Sequence, residues 1–442
     1  MALPGFLPRR CGSGLRAWAR RLLAVATLTA TCGGQTLARP GWAGSGMQPN
    51  TWWRHAVLYQ VDPHQFQSNV PPVPSALANL TQRLDYLRSL GVDAVLLHNL
   101  QPEHPDPAHL VDPALGSLDD FDDLLLQASR REMRVLLDLD PASTPDLQPL
   151  ARFWLSRGVA GFHLIGPQDH LHDLRVLLNS FVGERILIAD QPAAGAALTP
   201  ADSPNLLLVS TLANAPHLDA ATLRTTLSQF DAPPAPRTPV PLLLTDAPGQ
   251  PRSAVRWAAP PSPQAEKLAA TILLTTRGSS MLLFGQEIGL TAPGTEFPWE
   301  PPPPPASAAR LRNPPAPDPR YVSTQQADPD SVLSWYRQLN ALRHTNLTLR
   351  TGTTTFLPHD NQQVLAFVRR PASITPASPA LVVVCNLSSQ PVEVALHADT
   401  QHLGLRGNFL RTLARSDGVM GPMDLDHVQL APYMVYLGEL RY

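Results

Sequence analysis

A chain of 442 residues is long enough for one large barrel and a smaller second domain. With 43% hydrophobic and 16% charged residues it has the makings of an ordinary globular core. A net charge of −2, with no basic run after the first 25 residues, argues against nucleic acid and anionic membrane surfaces as partners. The 49 prolines are about double the usual frequency and point to stiff connections more than to disorder.

The first segment, residues 1–46, reads as a leader and linker. Arg9, Arg10, Arg16, Arg20 and Arg21 precede the apolar run Leu22-Leu23-Ala24-Val25-Ala26-Thr27-Leu28, and Thr36-Leu37-Ala38 supplies a cleavage site. Arg20-Arg21 also fits a twin-arginine route. The run falls well short of the ~20 residues that span a bilayer, so no transmembrane span is expected. Export to a periplasmic or extracellular location follows. The alternative is a cytoplasmic protein with Met47 as the true start. Cys11 and Cys32 fall in the leader, which leaves Cys385 alone in the mature chain and no intramolecular disulfide there.

From Trp52 to His344 short apolar strands alternate with amphipathic helices, the pattern of βα units on a parallel sheet. The expected strands are Ala56–Val61, Val92–Leu97, Arg134–Leu139, Gly161–Ile165, Arg185–Asp190, Asn205–Ser210, Pro241–Thr245 and Ser280–Phe284. Eight such units predict a (β/α)8 TIM barrel over residues 47–346, with any active site at the strand C-termini. Ser117 is placed to cap the helix that follows it, with Asp120 three residues on. Ser331–His344 reads as the last barrel helix. Between it and the last strand, Trp299–Pro319 is Pro-rich and predicts an extended excursion. Beyond Asn346 the pattern shortens to Val364–Arg369, Leu381–Asn386, Val392–Leu396 and Met434–Leu440. These predict a small antiparallel β-sandwich over residues 347–442.

Several segments resemble, in order, the α-amylase family of glycoside hydrolases. Trp52-Trp53-Arg54-His55-Ala56-Val57-Leu58-Tyr59-Gln60-Val61 is similar to the family's first strand, and Leu84 to Val92 to its first helix. Gly116 to Asp122 and Val135-Leu136-Leu137-Asp138-Leu139 resemble the second helix and third strand. Gly285-Gln286-Glu287-Ile288-Gly289-Leu290 looks like its Gly-Asp-Glu-Ile-Gly-Leu, and Pro298-Trp299-Glu300 like its Pro-Met-x-Trp-Asp. Gly161-Phe162-His163-Leu164-Ile165 resembles the strand end Gly-Phe-Arg-x-Asp, whose Asp is the catalytic nucleophile. The resemblance therefore puts Ile165 at a lost nucleophile position and His163 where the family has Arg.

By the same resemblance Asp190 occupies the acid/base position, where the family has Glu. An Asp is one methylene short, which misplaces a proton donor by about 1 Å. The third family carboxylate falls at Asp246 or, in the other alignment, at Gly249. The family motif Asp-x-Val-x-Asn-His keeps only Asp138. About twenty residues join Asp138 to Gly161, where family enzymes insert a lobe called domain B. In lacking it the chain is similar to the ectodomain of the heavy-chain subunit of animal amino-acid transporters. Asp138, His163, His98 and Trp299 are the candidate substrate-binding residues. His98 and His163 with Asp62 or Glu287 are too scattered to predict a metal site, and no cofactor is expected.

The resemblance implies a catalytically inactive homologue that binds a carbohydrate or a protein partner. A weak or rewired α-glucoside hydrolase or transglycosylase, using Asp190 with Asp246, is the alternative. A structural or assembly protein is the third reading.

Overall fold

Eight short strands, apolar on both faces, pair in chain order and close on themselves: β1 Val57–Val61, β2 Ala94–Leu97, β3 Arg134–Leu139, β4 Gly161–Leu164, β5 Ile186–Asp190, β6 Leu206–Val209, β7 Val240–Leu243 and β8 Ser279–Leu283. All pairs are parallel, and β1 closes the ring against β8 through Val57↔Ser280 to Gln60↔Leu283. The computed structural model describes residues 51–66, 75–102, 110–144, 146–191, 199, 203–231, 238–292, 297–301, 320–358, 360–375 and 378–441. The leader, with Cys11 and Cys32, and residues 302–319 of the Pro-rich segment lie outside the described residues.

Alternation along each strand explains why the barrel is apolar throughout. Leu58, Leu96, Leu136, Ile188, Leu242 and Met281 meet in one cluster inside the ring. Their neighbours Tyr59, Val95, Leu137, Leu187, Leu243 and Leu282 belong to a second cluster shared with the surrounding helices. A parallel strand covered on both faces needs such continuous apolar runs. Gly161 lets β4 approach β5: a Cβ there would lie 2.0 Å from the Ile186 carbonyl oxygen. The helix Leu118–Arg130 starts as expected, with the Ser117 hydroxyl accepting from the Asp120 backbone N–H and the Asp120 carboxylate accepting from that of Ser117. It buries Phe121, Leu124 and Ala128, one stripe of the helix. Between β3 and β4 the described residues form one helix, Leu147–Arg157.

Past the helix Val332–Thr345 the chain forms β9 Thr353–Phe356, β10 Val364–Arg370, β11 Leu381–Asn386, β12 Val392–Val394, β13 Phe409–Arg415, β14 Met423–Asp424, β15 Val428–Leu430 and β16 Val435–Arg441. Six of them make an antiparallel sheet in the order β14-β13-β16-β11-β10-β9, and β12 pairs with β15. β11 shows how the layers join: Leu381, Val383 and Cys385 pack into the cluster shared with the barrel helices, while Val382 and Val384 face a separate cluster with Val394 and Val428. The barrel and these sheets lie within one unit, Thr51–Tyr442. The strands β9, β13, β14 and β15 were not predicted. β9 reads Thr-Thr-Thr-Phe with no buried residue, and β13 carries an exposed Phe409 and a register shift between Thr412 and Ala414. Among the described residues no helix is long and apolar enough to cross a membrane.

A buried cation fastens the last barrel helix. Arg343, fully buried, donates to the carbonyls of Leu274, Thr276 and Gly278 on the path into β8. Replacing it by Met leaves three buried acceptors without donors, each worth roughly 1–3 kcal/mol. We expect Arg343→Met to lower the urea midpoint by the equivalent of about 3 kcal/mol or more at an unchanged slope. An unaltered midpoint would contradict this role.

Candidate functional site

The polar residues of the barrel mouth are placed by the same two-residue period. Two positions beyond Leu58, Leu96, Leu136 and Ile188 come Gln60, His98, Asp138 and Asp190, at the C-terminal ends of their strands. His163 lies opposite Asp138 in the β3–β4 ladder, and Ile165, half-buried, follows β4 with its backbone N–H on the Leu139 carbonyl.

Asp138 is the hub. Its carboxylate, 7% exposed, accepts from His98 Nδ1 at 2.5 Å and from His163 Nδ1 at 2.9 Å. His163 Nε2 reaches Asp190 Oδ1 at 3.4 Å, and the Gly166 backbone N–H donates to Asp190 Oδ2 at 3.3 Å. Burial by itself would raise the Asp138 carboxyl, but the His163 charge and the hydrogen bonds from both imidazoles outweigh it and hold the group below the usual range. Burial would lower His163; Asp138 first and Asp190 second reverse this and lift it to about 9. An ionised carboxylate only accepts, so both ring nitrogens of His163 donate and the ring is an imidazolium between two carboxylates. His98 is raised from its ordinary value as well, since Asp138 and then Asp62 overcome its burial.

Beside this chain of groups a cavity of about 370 Å³ opens between the ends of β1, β2, β7 and β8, lined by Gln60, Asp62, His98, Gly249, Arg252 and Phe284. Asp62 and Asn99 form its far edge, Asn99 Nδ2 donating to Asp62 Oδ2 at 3.0 Å. Asn99 and Arg252 were not singled out from the sequence. Each sits beyond a strand end, where no periodicity marks it.

The remaining candidates lie elsewhere. Asp246 is 2% exposed and accepts from the Ser253 backbone N–H at 2.5 Å and the Ser253 hydroxyl at 2.9 Å, with Arg256 Nη2 at 3.7 Å. Among the described residues no hydrogen bond joins it to Asp190. Glu287 is fully buried and accepts from the Tyr59 and Tyr86 hydroxyls, both at 2.8 Å. Trp299 is 7% exposed and packs against Phe66, Tyr86 and Phe297, with the Arg83 guanidinium 4.1 Å from its ring centre. Among the described residues no three His, Cys, Asp or Glu side chains are grouped to hold a metal ion.

Retaining hydrolysis of a glycoside needs a carboxylate nucleophile about 5 Å from a carboxylic acid. Here Asp138 and Asp190 are tied to imidazoles, while Asp62 accepts from Asn99. Asp138 has little exposure left, and Asp190, with 41% of its side chain exposed, is the more accessible.

The proton on His163 makes stability depend on pH. Its folded pKa of about 9 lies above the ordinary 6.5, so its contribution is complete below pH 6.5 and is lost as pH rises through 9. We expect the stability advantage of the native chain over His163→Gln to shrink by about 3 kcal/mol across that window, read by denaturant unfolding at each pH. Parallel pH profiles for the two proteins would contradict the charge assignment.

No family model matches the chain. Over 88% of its length it is 26% identical to the amino acid transporter heavy chain SLC3A2 of Oryctolagus cuniculus, covering 78% of that protein. A shorter part, 20% of the chain, is 40% identical to the trehalose-6-phosphate hydrolase of Escherichia coli and spans only 17% of that enzyme. Among solved structures, the α-glucosyl transfer enzyme XgtA superposes with a TM-score of 0.69 at 22% identity, over 88% of this chain and 99% of the other. At that identity the likeness is one of fold. The chain is a homologue of the amino acid transporter heavy chain and, over a shorter stretch, of trehalose-6-phosphate hydrolase, and it has the fold of the α-amylase family of glycoside hydrolases.

Proposed function

We propose that the chain is a non-hydrolytic member of its family that works by binding. The observation that carries this reading is the occupancy of the mouth. Ile165 follows β4 at the position that the resemblance assigns to the family's nucleophile, and Asp138 is held by two imidazoles. Ile has no lone pair to attack an anomeric carbon, so the double displacement lacks its first step. A buried carboxylate stabilised as an ion pair is also a poor nucleophile and a poor acid.

The relative matched along most of the chain is named as a heavy chain of a transporter, a subunit by name, which favours a protein partner. The shorter match to a hydrolase, and the cavity of about 370 Å³ at the mouth, support a carbohydrate as the other candidate ligand. Residues 1–46 are proposed to direct export, which would put the binding face outside the cytoplasm.

One observation favours the second reading, a slow, rewired hydrolase. Asp190 keeps 41% side-chain exposure and a proton-bearing imidazole at 3.4 Å, a pairing that can pass a proton to a leaving group.

The test is a long incubation of the purified, folded protein with aryl α-glucosides and malto-oligosaccharides, with Asp190→Ala in parallel. We expect product release no faster than in buffer, and the same for the variant. Turnover that disappears in Asp190→Ala would overturn the proposal and establish the second reading.

A further inference from the structure

Away from the mouth, a cavity of about 640 Å³ lies between the start of the helix Pro263–Thr275, the segment after β8 and the turn into the helix Val332–Thr345. Its walls combine two chemistries. Pro261, Ile288 and Val332 are apolar, whereas Glu266, Asp328 and Asp330 are carboxylates. Glu266 is the unusual one: it is 7% exposed, and its Oε2 has no hydrogen-bond partner. A buried acceptor left unmatched costs about 1–3 kcal/mol, and more if it is charged. Gly289 leaves the room this carboxyl occupies, since a Cβ there would lie 1.8 Å from Oε2. Asp328 and Asp330 are exposed and stand at the rim.

We propose that this cavity is a binding site for a small aliphatic amine, whose ammonium group is seated on Glu266 and whose alkyl part lies on Pro261, Ile288 and Val332. An ammonium supplies the donors that Oε2 lacks, and among the described residues lining the cavity the carboxylates of Asp328 and Asp330 face one cation, Arg320, before Glu266 ionises. The inference does not rest on the reading of the barrel mouth.

Binding has a proton signature. Burial, then the nearby Asp246 charge, pushes the Glu266 carboxyl up to about 8, with Arg320 opposing. The other groups facing it are the Tyr336 hydroxyl, from the helix Val332–Thr345, and the rim carboxylates Asp328 and Asp330. At pH 7 the free site therefore holds a neutral acid. When the ammonium binds, Glu266 gives its proton to the solvent and keeps the electron pair as carboxylate, so one proton is released per ligand.

Calorimetry of the full chain with n-pentylamine, in buffers of different ionisation enthalpy, tests this, with 1-pentanol as the uncharged probe. We expect the amine to bind at least roughly tenfold more tightly than the alcohol, with close to one proton released at pH 7 and affinity rising up to about pH 8. Glu266→Gln, checked for native folding by circular dichroism, should lose both the roughly tenfold preference and the proton release. Thr324→Trp, which fills the cavity from a half-buried wall and leaves Glu266 intact, should abolish binding. No binding at millimolar amine, equal affinity for the alcohol, or an unchanged Glu266→Gln would each overturn the proposal.

Discussion

A carboxylate buried to 7% exposure in the mouth of an apolar barrel is costly unless charge from within the protein answers it. Asp138 meets that demand with two imidazoles, and the mouth is organised around the solution. His98 comes from the end of β2, His163 from β4, and through His163 the link extends to Asp190 on β5. Four neighbouring strands are thus tied at the end where their apolar interior stops. Removing one partner would leave a buried charge unmatched, which is the expensive way to break such a pair.

The same network explains why family resemblance and chemistry part company here. In a retaining glycosidase the mouth carboxylates must be free to attack and to pass protons. Here Asp138 is held between two imidazoles, and Ile165 stands at the position the resemblance assigns to the nucleophile. Fold and site are separable: the closed ring needs only the alternating apolar residues, whereas catalysis would need a few mouth residues, and the proposed reading is that these are changed. The C-terminal sheet depends on the same alternation, since β11 turns one face to the barrel helices and the other to the β12–β15 ribbon.

Where local periodicity decided structure, the sequence was informative. All eight barrel strands lie within a residue or two of their expected positions, and Ser117 with Asp120 caps its helix as read. Strands with a polar face toward solvent, such as β9 and β13, escaped because their residues look like loop. The site was legible only in part, for a different reason. Asp138, His163 and Asp190 were nameable because the family resemblance places them at strand ends, and the two-residue period of their strands is what carries Asp138 and Asp190 into the mouth. That Asp138 and His163 lie opposite each other depends on the β3–β4 register, which no single strand encodes. Asp246 looked like a mouth carboxylate, yet Ser253, seven residues on, binds it at the head of a short helix. Trp299 likewise looked available to a ligand, but Phe66, Phe297, Tyr86 and Arg83 surround it from distant parts of the chain.

The central proposal is that the mouth forms no covalent bond to a sugar. The most direct measurement is intact-mass spectrometry of the folded protein after prolonged exposure to 5-fluoro-α-glucosyl fluoride, a reagent that leaves retaining glycosidases trapped as their covalent intermediate. The account predicts an unchanged mass. A stoichiometric glycosyl adduct mapped to Asp190 or Asp138 would contradict it and make the barrel an enzyme with a relocated nucleophile.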